Sequence, residues 1–228
     1  IIGEIRKLQP NILVFGIGDP DVRWIGNESG MAELPHWNTQ MAASVMDATE
    51  EGQEPVQKPT WLPAECDCML RWGNWFYSDR DEWTVKPLEE LMGMYYLSVG
   101  RGANLLLNVG PDRRGLLPEA DRKRVLEFGA EIRRRFGSPF AKTEDGEFTD
   151  NRWEYKGPRT FFIDHVTLQE DLTQGEAVRR FAIRIEPNFG GELTLYEGRN
   201  IGHKAIVKLP LVAAKRVIVE ILESDRPV

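Results

Sequence analysis

Histidine is scarce in this chain: His36, His165 and His203 are the only three, and the first two are far apart. A Ser-His-Asp or Cys-His set would have His36 alone to draw on in the first half, and none can be assembled. Cysteine is scarcer still. Cys66 and Cys68 form a lone C-x-C without the further Cys or His of a structural zinc site. Positions two apart share one face of a strand, which permits a strained disulfide, but two structural thiols suit the pair better. No apolar run is long enough to cross a membrane. Basic runs are missing too, apart from Arg133-Arg134-Arg135, which closes an expected helix where cations suit the dipole. With a formal net charge of -7, nucleic acid and anionic membranes are not expected partners. A signal peptide is also missing. Ile1, Ile2, Ile5 and Leu8 form a helical stripe already under way at the first residue, so the expectation is a piece of a longer protein. Its compartment signal would then lie upstream, consistent with a secreted, periplasmic or lysosomal whole.

What the chain does have is tryptophan, seven in all, gathered mostly between residues 24 and 83. Indole faces stack on the apolar faces of sugars, which favours a carbohydrate over a phosphorylated ligand. The first of these tryptophans lies in Gly18-Asp19-Pro20-Asp21-Val22-Arg23-Trp24-Ile25-Gly26-Asn27-Glu28-Ser29-Gly30. This loop follows Ile12-Leu13-Val14-Phe15, a branched apolar run that reads as a short buried strand. Loops at the C-terminal ends of such strands carry the chemistry of α/β enzymes. The plainer reading is a solvated acidic turn, but an exposed Trp24 beside Arg23 and Glu28 needs a reason. A second dense stretch runs from Trp61-Leu62-Pro63-Ala64-Glu65-Cys66-Asp67 to Arg71-Trp72-Gly73-Asn74-Trp75-Phe76-Tyr77. Core filler would not need Glu65, Asp67 and Arg71 among its aromatics, whereas a ligand wall would.

The order of elements predicts an α/β region followed by an all-β one. Gln9-Pro10-Asn11 ends the opening helix, and Pro87 starts another with Leu88, Leu91, Tyr95 and Val99 on one face. Asn104 to Val109 reads as a second apolar strand. Pro118 starts a further helix with Val125, Phe128, Ile132 and Phe136 on its buried face. Residues 31–59 show only a weak period around Met41 to Met46 and read as an insertion over one face, serving as a lid. This alternation predicts a partial (β/α) barrel over residues 1–138. Phe136-Gly137-Ser138-Pro139 is the expected linker. Residues 139–228 then read as a β-sandwich of jelly-roll type, with short runs at 161–163, 166–168, 178–185, 192–196, 205–209 and 216–222. His165 and His203 fall there and suit hydrogen-bonded structural roles.

The inventory leaves few chemistries. Gly16-Ile17-Gly18 lacks the third glycine of a dinucleotide fingerprint and precedes acids that would repel a pyrophosphate. Asp19, Asp21 and Glu28 lack the spacing of a calcium loop, so neither metal nor cofactor is expected. Paired-carboxylate catalysis with tryptophan and arginine support remains, and glycoside hydrolysis fits it. One carboxyl protonates the leaving oxygen while a second attacks or activates water.

Four stretches carry a family resemblance: the Gly18 to Glu28 loop, Leu62-Pro63-Ala64-Glu65-Cys66-Asp67, Trp75-Phe76-Tyr77, and Gly100-Arg101-Gly102-Ala103-Asn104 through Pro111-Asp112-Arg113-Arg114-Gly115. In order and spacing they resemble the retaining alpha-L-fucosidases, glycoside hydrolase family 29. The tail from Val166-Thr167-Leu168 through Ile201-Gly202-His203-Lys204 is similar to that family's C-terminal β-sandwich. The resemblance implies removal of terminal alpha-L-fucose from glycans through a covalent fucosyl-enzyme on an aspartate. That aspartate belongs to a W-F-D-G type motif upstream of these residues, and the family's substrate histidines lie upstream as well. By register Glu28 matches the acid/base of the branch preferring alpha-1,3 and alpha-1,4 linkages, with Glu65 its rival and more naturally a substrate contact. Trp75 matches a sugar-stacking aromatic, and Arg71 a polar contact beside it. With Trp24 these make up the expected site. The segment departs from the family's R-P-G-W-F-Y-H, reading R-W-G-N-W-F-Y-S, so one extra residue unsettles Arg71 and Trp75. Two further readings stay open: a non-catalytic fucose-binding protein derived from such an enzyme, and a hydrolase of another sugar.

Overall fold

The structure is a computed structural model and describes residues 1–16, 20–43 and 57–227. Ile17, Gly18, Asp19 and the tip of the 31–59 insertion therefore lie outside the described residues.

Helix α1 (Ile2–Leu8) opens the chain, and none of its residues is buried. The run Ile12–Phe15 does not become the buried strand its composition predicts. It makes one parallel bridge, Phe15 to Val22, and leaves Leu13 and Phe15 exposed. Instead the backbone closes on itself, with Val14 O accepting from Asp21 N and Val22 N, and Gly16 N donating to Val22 O.

The α/β region is built on a parallel sheet of β1 (Arg23–Trp24), β4 (Ala64–Met69) and β5 (Asn104–Asn108), in the order β1-β4-β5. Arg23 pairs with Ala64, and Glu65 with Asn104. Parallel strands require crossovers, and β4 reaches β5 through α2 (Leu88–Leu97). A second helix, α3 (Glu119–Phe136), follows β5. Pro87 and Pro118 stand immediately before these helices, as their sequence positions predict.

Strand β4 alternates strictly. Ala64, Cys66 and Cys68 are buried, while Glu65, Asp67 and Met69 are half-open. The buried face meets the helices: Cys68, Leu70, Leu91, Met92, Met94 and Phe128 form one core, joined by Leu105, Leu107, Val125, Ile132 and Phe136. Each side chain of that size contributes about 1.5–3 kcal/mol by leaving water. The opposite face carries Trp24, Glu65, Asp67, Asn104 and Asn108, which register places side by side. Parallel sheets usually hide both faces, and a polar, open one is where a site belongs.

After β1 the chain runs on to Glu28 and turns back along the sheet. Ile25 N donates to Glu65 O and Gly30 N to Asp67 O, while Ser29 bridges Cys68. Gly30 has φ 68, and a Cβ there would lie 2.9 Å from Cys68 Sγ, so only glycine fits. The returning segment reaches the N-terminal end of β4, where Leu62 N donates to Asn38 O and Ala64 N to Asn38 Oδ1. There β2 (Thr39–Ala43) and β3 (Gln57–Trp61) pair as an antiparallel hairpin. The hairpin is rooted at the end of β4 opposite Glu28, and the lid expected of the insertion falls on its tip, outside the described residues. A chain that descends the helix-covered side of the sheet can only emerge at the far end.

Beyond α3, β6 (Glu147–Thr149), β7 (Arg152–Leu168), β8 (Val178–Glu186), β9 (Leu193–Gly198) and β10 (Ala205–Ser224) form one antiparallel sheet in the order β6-β7-β10-β8-β9. The expected runs at 161–163 and 166–168 merge in β7, and those at 205–209 and 216–222 merge in β10. Irregular register between Lys208 and Val212 carries the pairing past Pro210, which cannot donate to a ladder. Val178, Phe181, Ile183 and Ile185 of β8 share a core with Val207, Leu209 and Val217 of β10.

The two regions are joined by polar contacts as well as packing. Glu176, buried, accepts from the backbone N–H of Asn38 at 3.1 Å and of Thr39 at 2.9 Å. His165 meets Tyr96 of α2: the Tyr96 hydroxyl is hydrogen-bonded to Nε2 at 2.7 Å, while Asp164 lies 2.9 Å from Nδ1. His165 thus has the structural role its position suggests. His203 differs, being exposed, with its carbonyl 3.4 Å from the Gln169 amide.

Candidate active site

Glu28 lies beyond the C-terminal end of β1, on the turn that reverses the chain, and is exposed. Its Oε2 accepts a hydrogen bond from Trp75 Nε1 at 3.1 Å, across 47 residues of sequence. Trp75 belongs to the loop that leaves β4. That loop has a closed neck: Arg71 bridges Val85, Trp72 N donates to Thr84 O, and Lys86 N donates to Leu70 O. Within it Asn74, the residue by which this segment exceeds the pattern it resembles, folds the chain locally. Its Oδ1 accepts from Phe76 N at 3.1 Å and its Nδ2 donates to Asp81 at 2.7 Å.

Two features of β5 hold the same loop from the other side. Asn108, the last residue of the strand, donates from Nδ2 to Trp75 O at 2.7 Å. Gly110 follows so closely beneath the loop that a Cβ would stand 2.7 Å from Tyr77 N.

Lower on the open face, the Trp24 indole N–H donates to Asp67, and Asn104 Nδ2 donates to Glu65 Oε2 at 2.9 Å. Glu65 and Asp67 thus present carboxylates on one side of β4, two residues apart, each held by a neighbouring strand. Trp24, Glu65 and Asp67 form one array, and Glu28 with Trp75 forms a second above it.

Arg71 is set apart from both. Its guanidinium is buried, with Nε donating to Asp121 at 3.0 Å and Nη1 donating to Ser78 O at 2.9 Å and to Asp81. Its hydrogen bonds to Asp121, and then to Asp81, hold its pKa above the ordinary arginine value. Asp81 is held below the ordinary carboxylate value, chiefly by the Asn74 amide. As a buried clamp at the base of the loop, Arg71 has its donors committed to protein and does not present them on the open face.

Asp21, another acid of the first loop, is likewise internal in its bonding. Its Oδ2 accepts from Val14 N at 2.8 Å and Arg6 Nη2 at 3.1 Å. The two thiols lie on the helix side of β4, where burial pushes Cys66 up to about 12 and Cys68 to about 11, so both stay protonated. Both are free.

Asn104 and Asn108 carry no signal in isolation. Strand register shows their use: asparagines at the two ends of β5, an even number of positions apart, share the face of Glu65 and Asp67.

Glu28 and Trp75 at the C-terminal end of the parallel strands, above the open face of Trp24, Glu65 and Asp67, define an α/β protein with a candidate site on that face. Comparison with known proteins gives the particular family. Residues 31–135 match the family model described as Alpha-L-fucosidase. Alpha-L-fucosidase 1 of Arabidopsis thaliana is 28% identical over 97% of this chain and 50% of its own length. A Bacteroides thetaiotaomicron crystal structure, assigned as an alpha-L-fucosidase, superposes with a TM-score of 0.85 at 33% identity, covering 98% of this chain and 52% of that one. A glycoside hydrolase 29 family member from an unknown rumen bacterium gives the same TM-score at 28% identity, over 98% and 42%. These matches are to the alpha-L-fucosidase family, glycoside hydrolase family 29. The chain spans about half the length of the curated relatives it matches.

Proposed function

We propose that this chain forms part of a retaining alpha-L-fucosidase acting on terminal alpha-1,3- or alpha-1,4-linked fucose of oligosaccharides or glycoconjugates, with Glu28 as general acid/base. The position of Glu28 carries the reading. It is an accessible carboxyl at the C-terminal end of the parallel strands, and one of its oxygens is fixed by Trp75. In this reading the three-stranded sheet with α2 and α3 is an arc of a (β/α) barrel over residues 1–138, and residues 139–228 are an accessory β module. The open face of Trp24, Glu65, Asp67 and Asn104 then points into the barrel, where Glu65 and Trp24 meet the sugar. Exposed Phe76, next to Trp75, offers a further plate for the aglycone.

The mechanism has two displacements. Glu28 in its acid form donates a proton to the glycosidic oxygen as an aspartate attacks the anomeric carbon and the alcohol departs. Ionised Glu28 then takes a proton from water, which attacks the same carbon and releases fucose with its configuration retained. Such enzymes hold their two carboxyl groups roughly 5 Å apart. The nucleophile is assigned to the part of the relatives' length that these residues do not span.

The test uses a complete enzyme. Glu28→Gln should lower kcat/KM on a fucosyl oligosaccharide by about a hundredfold or more, and far less on a dinitrophenyl fucoside, whose leaving group needs no proton. Azide should restore turnover of the latter and give a fucosyl azide of retained configuration. If Glu65→Gln shows this pattern and Glu28→Gln does not, the two glutamates exchange roles.

A further inference from the structure

We infer that Asn108 is a positioning residue for Glu28, acting through Trp75, and that this contact selects which oxygen of Glu28 carries the catalytic proton. The inference rests on the acid/base role of Glu28 proposed above.

Glu28 and Trp75 both stand on loops, where a carboxyl and an indole would otherwise sample several rotamers. A chain of contacts leads back from them to the sheet. Asn108 is fixed at both levels: its backbone carbonyl accepts from Leu70 N at 3.0 Å, and its residue pairs with Met69 in the parallel ladder. From that anchored position its side-chain amide donates to Trp75 O at 2.7 Å. Gly110 removes the remaining freedom by bringing β5's exit against the Phe76–Tyr77 peptide, 2.9 Å from Phe76 C for a notional Cβ. The result is that the indole N–H arrives at Glu28 Oε2.

The chemistry follows from the donor. An indole N–H can donate and never accept, and a carbonyl-type oxygen accepts better than a carboxyl hydroxyl, so the contact favours Oε2 as the unprotonated oxygen. When Glu28 is the acid its proton is therefore favoured on Oε1, which is left free to face the glycosidic oxygen. When Glu28 is ionised, the same N–H keeps the carboxylate from rotating before water arrives. Trp75 thus has a role beyond a stacking plate, and Asn108 determines whether Trp75 can perform it.

Positioning of an acid matters most when the leaving group needs its proton. In a complete enzyme, isosteric Asn108→Asp places an acceptor against Trp75 O and should break the chain of contacts. The expected result is a loss of about ten- to a hundredfold in kcat/KM for an alkyl or oligosaccharide fucoside. The loss on a dinitrophenyl fucoside should stay within about threefold. Trp75→Phe, which keeps an aromatic plate and removes the N–H, should give the same split and covers the case in which Asn108→Asp does not fold. Equal losses on both substrates from Trp75→Phe would assign Trp75 to sugar stacking alone and overturn the inference. So would full activity of folded Asn108→Asp. If Glu28→Gln itself shows no leaving-group dependence, the acid/base reading fails instead, so the two failures are distinguishable.

Discussion

At the scale of the residue, burial separates side chains that sequence spacing groups together. Arg71, Trp75 and Glu65 fall within eleven positions and read as one ligand wall. Trp75 turns toward Glu28, Glu65 stays on the open face, and Arg71 goes inward to two aspartates. Breaking a buried ion pair by removing one partner leaves the other charge unpaired, at a cost of about 3–5 kcal/mol. Arg71→Ala should therefore lower the denaturation midpoint strongly, read by urea titration of a complete enzyme. A substrate-contacting arginine would instead raise KM and leave the midpoint near the wild-type value. Arg71→Lys should recover little, because a lysine cannot serve Asp121, Asp81 and Ser78 from one planar fork.

Among the elements, the hairpin of β2 and β3 has the clearest dependence on its partner. Two unpaired strands are marginal in water, and this pair is held at its root by Glu176, whose carboxylate receives the N–H groups of Asn38 and Thr39. Hydrogen bonds to a charged acceptor are worth about 1.5–3 kcal/mol. Glu176→Gln turns one acceptor oxygen into a donor facing those N–H groups, and should cost about that much stability. Hydrogen exchange at Asn38 and Thr39 should quicken more than exchange in β8. Equal change at both places would show that Glu176 acts on the whole sheet rather than on the hairpin.

For the whole molecule, the same junction gives a pH dependence. His36 is 5% exposed, its backbone carbonyl accepts from Asn200, and its Nε2 lies 3.3 Å from Asn38 Oδ1. Burial, with Arg23 next, lowers its pKa from 6.5 to about 4. In the unfolded chain His36 takes up a proton below pH 6.5; in the folded chain it does so only near pH 4. Stability from this group is thus complete above pH 6.5 and lost as pH falls to about 4, amounting to about 3 kcal/mol. Denaturation of wild type and His36→Gln at pH 7, 5.5 and 4 tests this, with the wild type losing more across the series. Parallel losses in the two proteins would remove His36 as the cause.

Much of this organisation is legible in the sequence, for reasons that are local. Proline before Leu88 and Glu119, apolar spacing over Val125, Phe128 and Ile132, and the even alternation of Ala64, Cys66 and Cys68 act within one or two turns or pleats. They determine element type and which face is apolar before any long-range contact forms. The motifs around Glu28, Glu65 and Gly100 to Gly115 likewise carry the family resemblance. Other features belong to the tertiary structure alone. Ile12–Phe15 has strand composition but, among the described residues, only a bridge to Val22 for a partner, so its ladder stays incomplete. The path of Gly30 to Asn38 down the sheet roots the β2–β3 hairpin at the end opposite Glu28. That Trp75 meets Glu28, Asn108 holds Trp75, and Arg71 withdraws to Asp121 depends on groups 33 to 50 residues apart. No local preference encodes such pairs; they exist because the parallel register of β1, β4 and β5 brings three separate loops to one end of one sheet.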